Sequence, residues 1–409
     1  MFAANPPGAK ESPPRERRFI PDEELRARLA RLQAAMADEE LDALLLYGAQ
    51  RRAGNLTYLT RTLPGAGDAI AVVPRRGPVE LISQTVKEAP GGSRPEAAGV
   101  WRPPLSVNLR AVPGSREAGG APAAPASLGE AAAAAAQTLG ASVLGLVGVE
   151  EQMRGEDAMV LQAALPRATL RTLTDWYEAL RAPKGEPELR LLRRAADLCW
   201  EACQHFADLV TRESSLRKIG AEVERVIYRE GAEAVCLLVT LPERAAAAGQ
   251  ALRLQPAPPT HLVFAEAVIA YIAVSYQGYW ADRAQALPMV PVEPRGKEVR
   301  ARAESALDAL LALFAVGKPL SEFTEEAARQ LRLALGPYPR ADFPLGNGIG
   351  LDLQEWPLLG SPPRSAGSRL RENMILSLRL GLPAAGDSAF VSRMVWLHRS
   401  GVHQLYPRF

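Results

Sequence analysis

The sequence predicts two mixed domains in succession, an α/β first half and an α+β second half. Three observations carry that reading. The chain has 409 residues, more than one ordinary hydrophobic core accommodates. Helix-period and strand-period stretches alternate as far as residue 180, and ProLysGlyGluPro at 183–187 then interrupts them. Beyond it a long amphipathic helix opens a half in which helices surround mainly consecutive strands.

Residues 1–18 are rich in proline and charge and read as a tail. From Pro21 onward Leu25, Leu29, Leu32 and Met36 recur at three- and four-residue steps, which predicts a helix with one apolar face. Leu41–Tyr47 reads as a buried strand. Ala69–Val73 and Val79–Ser83 flank ProArgArgGly and read as a hairpin. Residues 86–126 are crowded with Pro, Gly and Ala and read as a long exposed insertion. Ser142–Val149 is a second buried strand and Glu156–Leu165 a helix. After the break, helices are expected at 188–211, 216–230, 295–314 and 321–335, with strands at 233–240, at 262–288 and in the remaining C-terminal part. The expected division is a first domain at 19–180, a linker at 181–187 and a second domain at 188–409.

Composition excludes several classes. Hydrophobic residues are 47% and charged residues 23%, and the formal net charge is +2, so no field favours nucleic acid or a membrane surface. The longest apolar stretches, Ala131–Val149 and Leu262–Tyr276, contain Gln137 and Glu266 and make no transmembrane helix. Residues 1–18 contain no apolar segment of a secretory signal, and three cysteines form no complete disulfide framework, so a cytoplasmic protein is expected. Cys199 and Cys203 stand at helical i, i+4 spacing with His205 turned away from both, the pattern of small core thiols rather than a metal site. His261 follows a loop-like ProProThr, and His398 and His403 stand in the last strand region without neighbouring carboxylates. The chain contains no GxSxG nucleophile elbow.

One block is more specific. GNGIGLDLQEWP, from Gly346 to Pro357, is similar to the pattern GHGIGLxxHExP of the pita-bread metallopeptidases, the family of aminopeptidase P, prolidase and creatinase. It keeps Gly346, Gly348, Gly350, Glu355 and Pro357. TyrGlnGlyTyrTrpAlaAsp at 276–282 resembles the family's yxGYxsDxTRT, and LeuArgAlaProLysGlyGluProGlu at 180–188 resembles its LRxxKxxxE linker. AsnLeuThrTyrLeuThr at 55–60 resembles the family's non-catalytic first domain. The resemblance implies a creatinase-like α/β domain followed by a pita-bread α+β domain. It also implies a homodimer in which the first domain reaches toward the partner's cleft.

The family holds two divalent cations with two Asp, one His and two Glu, and the cations activate water. By that resemblance the second Asp is Asp282, the first falls on Tyr271, the His on Asn347, one Glu on Arg379 and the other on or near Ser392. The second motif His is Gln354, ThrArgThr has become AlaGlnAla at 284–286, and no His lies near Ala247–Leu254. A carboxamide is a poor substitute for imidazole. A guanidinium about 5 Å from a divalent ion costs on the order of 6 kcal/mol at an effective dielectric of about 20. The expectation is therefore a peptidase-like protein with no catalytic residue, no metal and no other cofactor. It would retain its cleft for a peptide, a small ligand or a protein partner. Two alternatives are a metal-free creatinase-like amidinohydrolase, with Glu355 or Asp282 as base, and a divergent Xaa-Pro dipeptidase or aminopeptidase. Asp282 and Arg379 are expected to form an ion pair at the former metal position, where a guanidinium can meet a carboxylate through two parallel hydrogen bonds, with Asn347 and Tyr271 as neutral neighbours; the alternative is Arg379 turned to solvent and Asp282 hydrated.

Overall fold

The computed structural model describes residues 20–49, 52–62, 67–83, 107–111, 127–242, 253–259, 261–262, 265–292, 294–336, 344–361, 367–382 and 389–406. The tail at 1–18 and most of the 86–126 insertion lie outside these residues.

In the first half, helix α1 (Asp22–Asp38) buries Leu25, Leu29, Leu32 and Met36, the face its spacing predicts. Strand β1 (Ala43–Gly48) pairs antiparallel with β2 (Ala69–Pro74), which pairs in turn with β3 (Val79–Ser83). Strand β4 (Val107–Ala111) adds a parallel edge to β3, so the insertion contributes a strand that its composition does not announce. On the other side β5 (Val143–Val147) pairs parallel with β1, and β6 (Thr169–Thr172) with β5. The six-stranded order is β4-β3-β2-β1-β5-β6.

Both faces of this sheet are covered, which is why β1 is apolar at successive positions. Leu44 and Leu46 join the core shared with α1, whereas Ala43, Leu45 and Tyr47 join the core beneath α3 (Leu128–Thr138) and α5 (Gly155–Ala164). Two short helices complete the half: α2 (Gly54–Thr60), every residue of which is buried, and α4 (Val149–Gln152). Helix α6 (Thr174–Arg181) then leads into the long α7 (Glu186–Val210).

The second half is two antiparallel sheets with helices outside them. Helices α7 and α8 (Leu216–Arg229) back the sheet β10-β9-β7-β8, built from β7 (Ala234–Thr240), β8 (Gln255–Pro256), β9 (Ala267–Tyr276) and β10 (Tyr279–Pro288). Helices α9 (Pro294–Leu311) and α10 (Leu320–Leu335) accompany the sheet β12-β11-β13-β14-β15. Its strands are β11 (Gly346–Gly348), β12 (Glu355–Leu359), β13 (Met374–Leu382), β14 (Ala389–His398) and β15 (Gly401–Gln404). Cys199 and Cys203 are free and buried on α7. No helix among the described residues is long and apolar enough to cross a membrane.

The motif glycines are required by backbone approach. A Cβ on Gly346 would stand 2.3 Å from Ser377 O, and one on Gly348 would stand 2.2 Å from Trp356 O. Both contacts are far inside van der Waals distance, so β11, paired on both sides, admits no side chain there.

Candidate functional site

Register places the candidate residues on facing strands. In the β9–β10 pair Tyr271 stands opposite Ala284 and Asp282 opposite Ala273, so both side chains leave the same face. In the other sheet Asn347 stands opposite Ser377, and Arg379 opposite Ser392. Asp282 Oδ2 accepts a hydrogen bond from the Tyr271 hydroxyl at 2.9 Å and lies 3.7 Å from Arg379 Nη1. Arg379 Nη2 donates to Asn347 Oδ1. Asn347 Nδ2 donates to Gly348 O at 2.7 Å and to Leu353 O at 3.1 Å. The guanidinium lies over the Tyr271 ring, 5.5 Å from its centroid.

Asp282 and Arg379 therefore meet, with a correction. At 3.7 Å they attract as charges but lie beyond hydrogen-bond reach, and the two parallel hydrogen bonds expected from sequence do not form. The hydrogen bonds go instead to the neutral neighbours Tyr271 and Asn347. Burial pushes the Tyr271 phenol well above its ordinary value and the Asp282 charge adds to it, with Arg379 opposing. Tyr271 is thus held as a neutral donor. Asp282 Oδ1 is buried without a hydrogen-bond partner among the described residues. The Asp282 side chain is 1% exposed and that of Arg379 19%, so the cation is the member of the pair that reaches the cleft.

The remaining candidates separate. Ser392 Oγ accepts from Ala284 N at 2.7 Å and donates to Ala284 O at 3.2 Å, which stitches β14 to β10. Gln354 is exposed on the cleft wall. Glu355 is buried and bound to Arg181 Nη1 at 2.6 Å and Lys184 Nζ at 2.7 Å. Burial pushes its carboxyl upward, but the charges of Arg181 and Lys184, with hydrogen bonds from Lys184 and from Asp352 N, reverse this and hold it at about 2. Asp352 accepts from Arg181 Nη2 at 2.7 Å and from Gly54 N at 2.9 Å, yet burial and the adjacent Glu355 charge raise its value.

Sequence reasoning singled out Glu355 but not these partners. The signal was present in the linker resemblance, because its Arg181, Lys184 and Glu188 all enter buried ion pairs, the last with Arg28 at 3.2 Å. A second correction concerns His398, which sequence leaves without a carboxylate. The fold brings Glu372 Oε1 to 3.5 Å from its Nε2.

A cleft of about 780 Å³ opens over the site. Tyr271, Asn347 and Arg379 form one wall, Leu353 and Phe390 are apolar, and Glu178 enters from α6 of the first half. The residues do not fit a two-metal centre. Among those described, no group of three or more His, Cys, Asp or Glu side chains could hold a metal ion. Asp282 has a phenol and a guanidinium beside it, the guanidinium is held in turn by the Asn347 carboxamide, and its positive charge repels a divalent ion.

The sequence matches metallopeptidase family M24 over residues 190–399 and the creatinase/prolidase N-terminal domain over 28–182. The chain belongs to family M24, and its fold is the pita-bread fold of the prolidases. An Xaa-Pro dipeptidase of Pyrococcus horikoshii is 22% identical over 214 residues, a stretch that is 52% of this chain and 58% of that relative. The sequence match therefore spans little more than half the length of that curated relative. Among solved structures, the prolidase of Pyrococcus horikoshii superposes with a TM-score of 0.71 at 16% identity, covering 94% of this chain and 99% of that one. Dipeptidase PepE of Mycobacterium ulcerans gives 0.73 at 18% identity, covering 95% of this chain and 97% of that one. At these identities the superpositions speak for the fold.

Proposed function

We propose that this protein has the scaffold of an Xaa-Pro peptidase without its hydrolytic activity. In this reading the cleft binds a peptide, a small ligand or a protein partner. The Arg379 guanidinium carries the proposal. It lies against Asp282 and Asn347 at a position where, by resemblance to the family, a carboxylate would bind metal. A cation and a carboxylate side by side leave the site near electrical neutrality, which suits a neutral or weakly charged ligand. Glu355 has both oxygens committed to Arg181 and Lys184 and its basicity lowered by their charges, which weighs against its acting as base in a metal-free amidinohydrolase. The unpaired cysteines support a cytoplasmic location.

The test is hydrolysis of Xaa-Pro dipeptides and of creatine-like amidino compounds by purified protein with added manganese or cobalt. No turnover is expected. Hydrolysis that Asp282→Ala abolishes would overturn the reading. We also propose a twofold-symmetric homodimer, on the strength of the family resemblance. Light scattering is expected to give twice the chain mass of 44.0 kDa, and a monomer at micromolar concentration would remove this part alone.

A further inference from the structure

Strands β14 and β15 form a hairpin that turns through Arg399 and Ser400. Its register sets Trp396 opposite His403 and His398 opposite Gly401. Trp396, His398 and His403 therefore share one face. Both imidazoles lean on the Trp396 indole, at centroid distances of 4.9 and 5.5 Å, and lie 5.8 Å from each other.

Two ring nitrogens converge on one point. His398 Nδ1 and His403 Nε2 lie 2.8 and 2.9 Å from Ser400 Oγ. The backbone N–H of Ser400 donates to His398 Nδ1 at 3.3 Å, so that nitrogen carries the lone pair and Nε2 carries the proton. Nε2 faces Glu372 Oε1 at 3.5 Å. The same oxygen lies 3.9 Å from Arg399 Nε, and a carboxylate beside one ring nitrogen while the other presents its lone pair is the arrangement found behind metal-binding histidines.

We propose that His398 and His403 form a surface site for a divalent transition-metal ion such as Zn²⁺ or Ni²⁺, with Glu372 orienting His398. Imidazole is a good ligand for such ions. A zinc–nitrogen bond is about 2.0–2.1 Å, so the ion takes the place of the Ser400 hydroxyl once each nitrogen has closed by less than about 1 Å. Ser400 is exposed on a two-residue turn, where its side chain is able to rotate aside. His403 binds as its Nδ1–H tautomer, and water fills the outward positions. The site shares no residue with the cleft, so the inference stands apart from the reading of the cleft.

The experiment is a titration of tag-free full-length protein with Ni²⁺, followed by calorimetry and by tryptophan fluorescence. Saturable binding of one ion per chain is expected, with quenching of emission because Trp396 touches both ligands. His398→Ala and His403→Ala are each expected to abolish binding, Glu372→Gln to weaken it about tenfold, and His261→Ala to leave it unchanged. Unchanged binding in either of the first two variants would overturn the proposal, as would loss of binding on Cys236→Ser. His403→Gln replaces the alanine variant if thermal unfolding shows the latter to be misfolded, and it is expected to abolish binding equally.

Discussion

Asp282 is a buried carboxylate with one oxygen satisfied by Tyr271 and a cation 3.7 Å away. Arg379→Met would keep the volume along β13 and remove that cation. The expected cost is about 1–3 kcal/mol in urea unfolding, the range for leaving a buried polar group short of a partner. A variant as stable as the parent would mean that Arg379 contributes nothing to holding Asp282. Sequence legibility was high for this group because the glycines flanking Asn347 fix the register. Gly346 and Gly348 are fixed in turn by carbonyls a little over 2 Å from any added Cβ, a constraint that persists whatever occupies the cleft. Which atoms bond to which was not legible, since a one-dimensional alignment places Arg379 beside Asp282 without saying that its fork reaches Asn347 first.

Elements were legible in proportion to their periodic contrast. Helices α1, α7 and α8 have one buried face and one wet face, and their spacing announces them. Helix α2 is buried along its whole length and shows no such contrast, and β4 hides in a Pro/Gly-rich stretch because its pairing partner is far away in sequence. The end of α6 and the segment leading from it to α7 illustrate a charge pattern that sequence marks without explaining. Their Arg181 and Lys184 hold Glu355, whose carboxyl is depressed from 4.5 to about 2. A depressed carboxyl stabilises the folded chain fully above its ordinary value, and the contribution is lost as pH falls from about 4.5 toward 2. Asp352 and Glu178 are raised by burial and carry the opposite sign, so the parent alone does not isolate the effect. The comparison that does is parent against Glu355→Gln. The parent's advantage is expected to shrink by on the order of 3 kcal/mol as pH falls from about 5 toward 2. A difference independent of pH would show that Glu355 is not the group titrating.

At the scale of the whole molecule, the two halves share both apolar and ionic contacts. Leu44 and Leu46 of the first sheet belong to the same core as Leu192 and Phe206 of α7. Arg28 meets Glu188, and Gly54 N meets Asp352. One cooperative unfolding transition is therefore expected, with coincident midpoints for a probe in each half; two separated transitions would contradict it.

The ties at Arg181 and Gly54 have a further consequence for the cleft. Asp352 and Glu355, which help to wall it, are fastened to the first half before any ligand arrives. The opening is therefore an aperture of set calibre at these points rather than a jaw. For the ligand proposed above, association is expected to be a single encounter, with a rate that climbs in proportion to concentration and lacks the plateau that a slow closing step imposes.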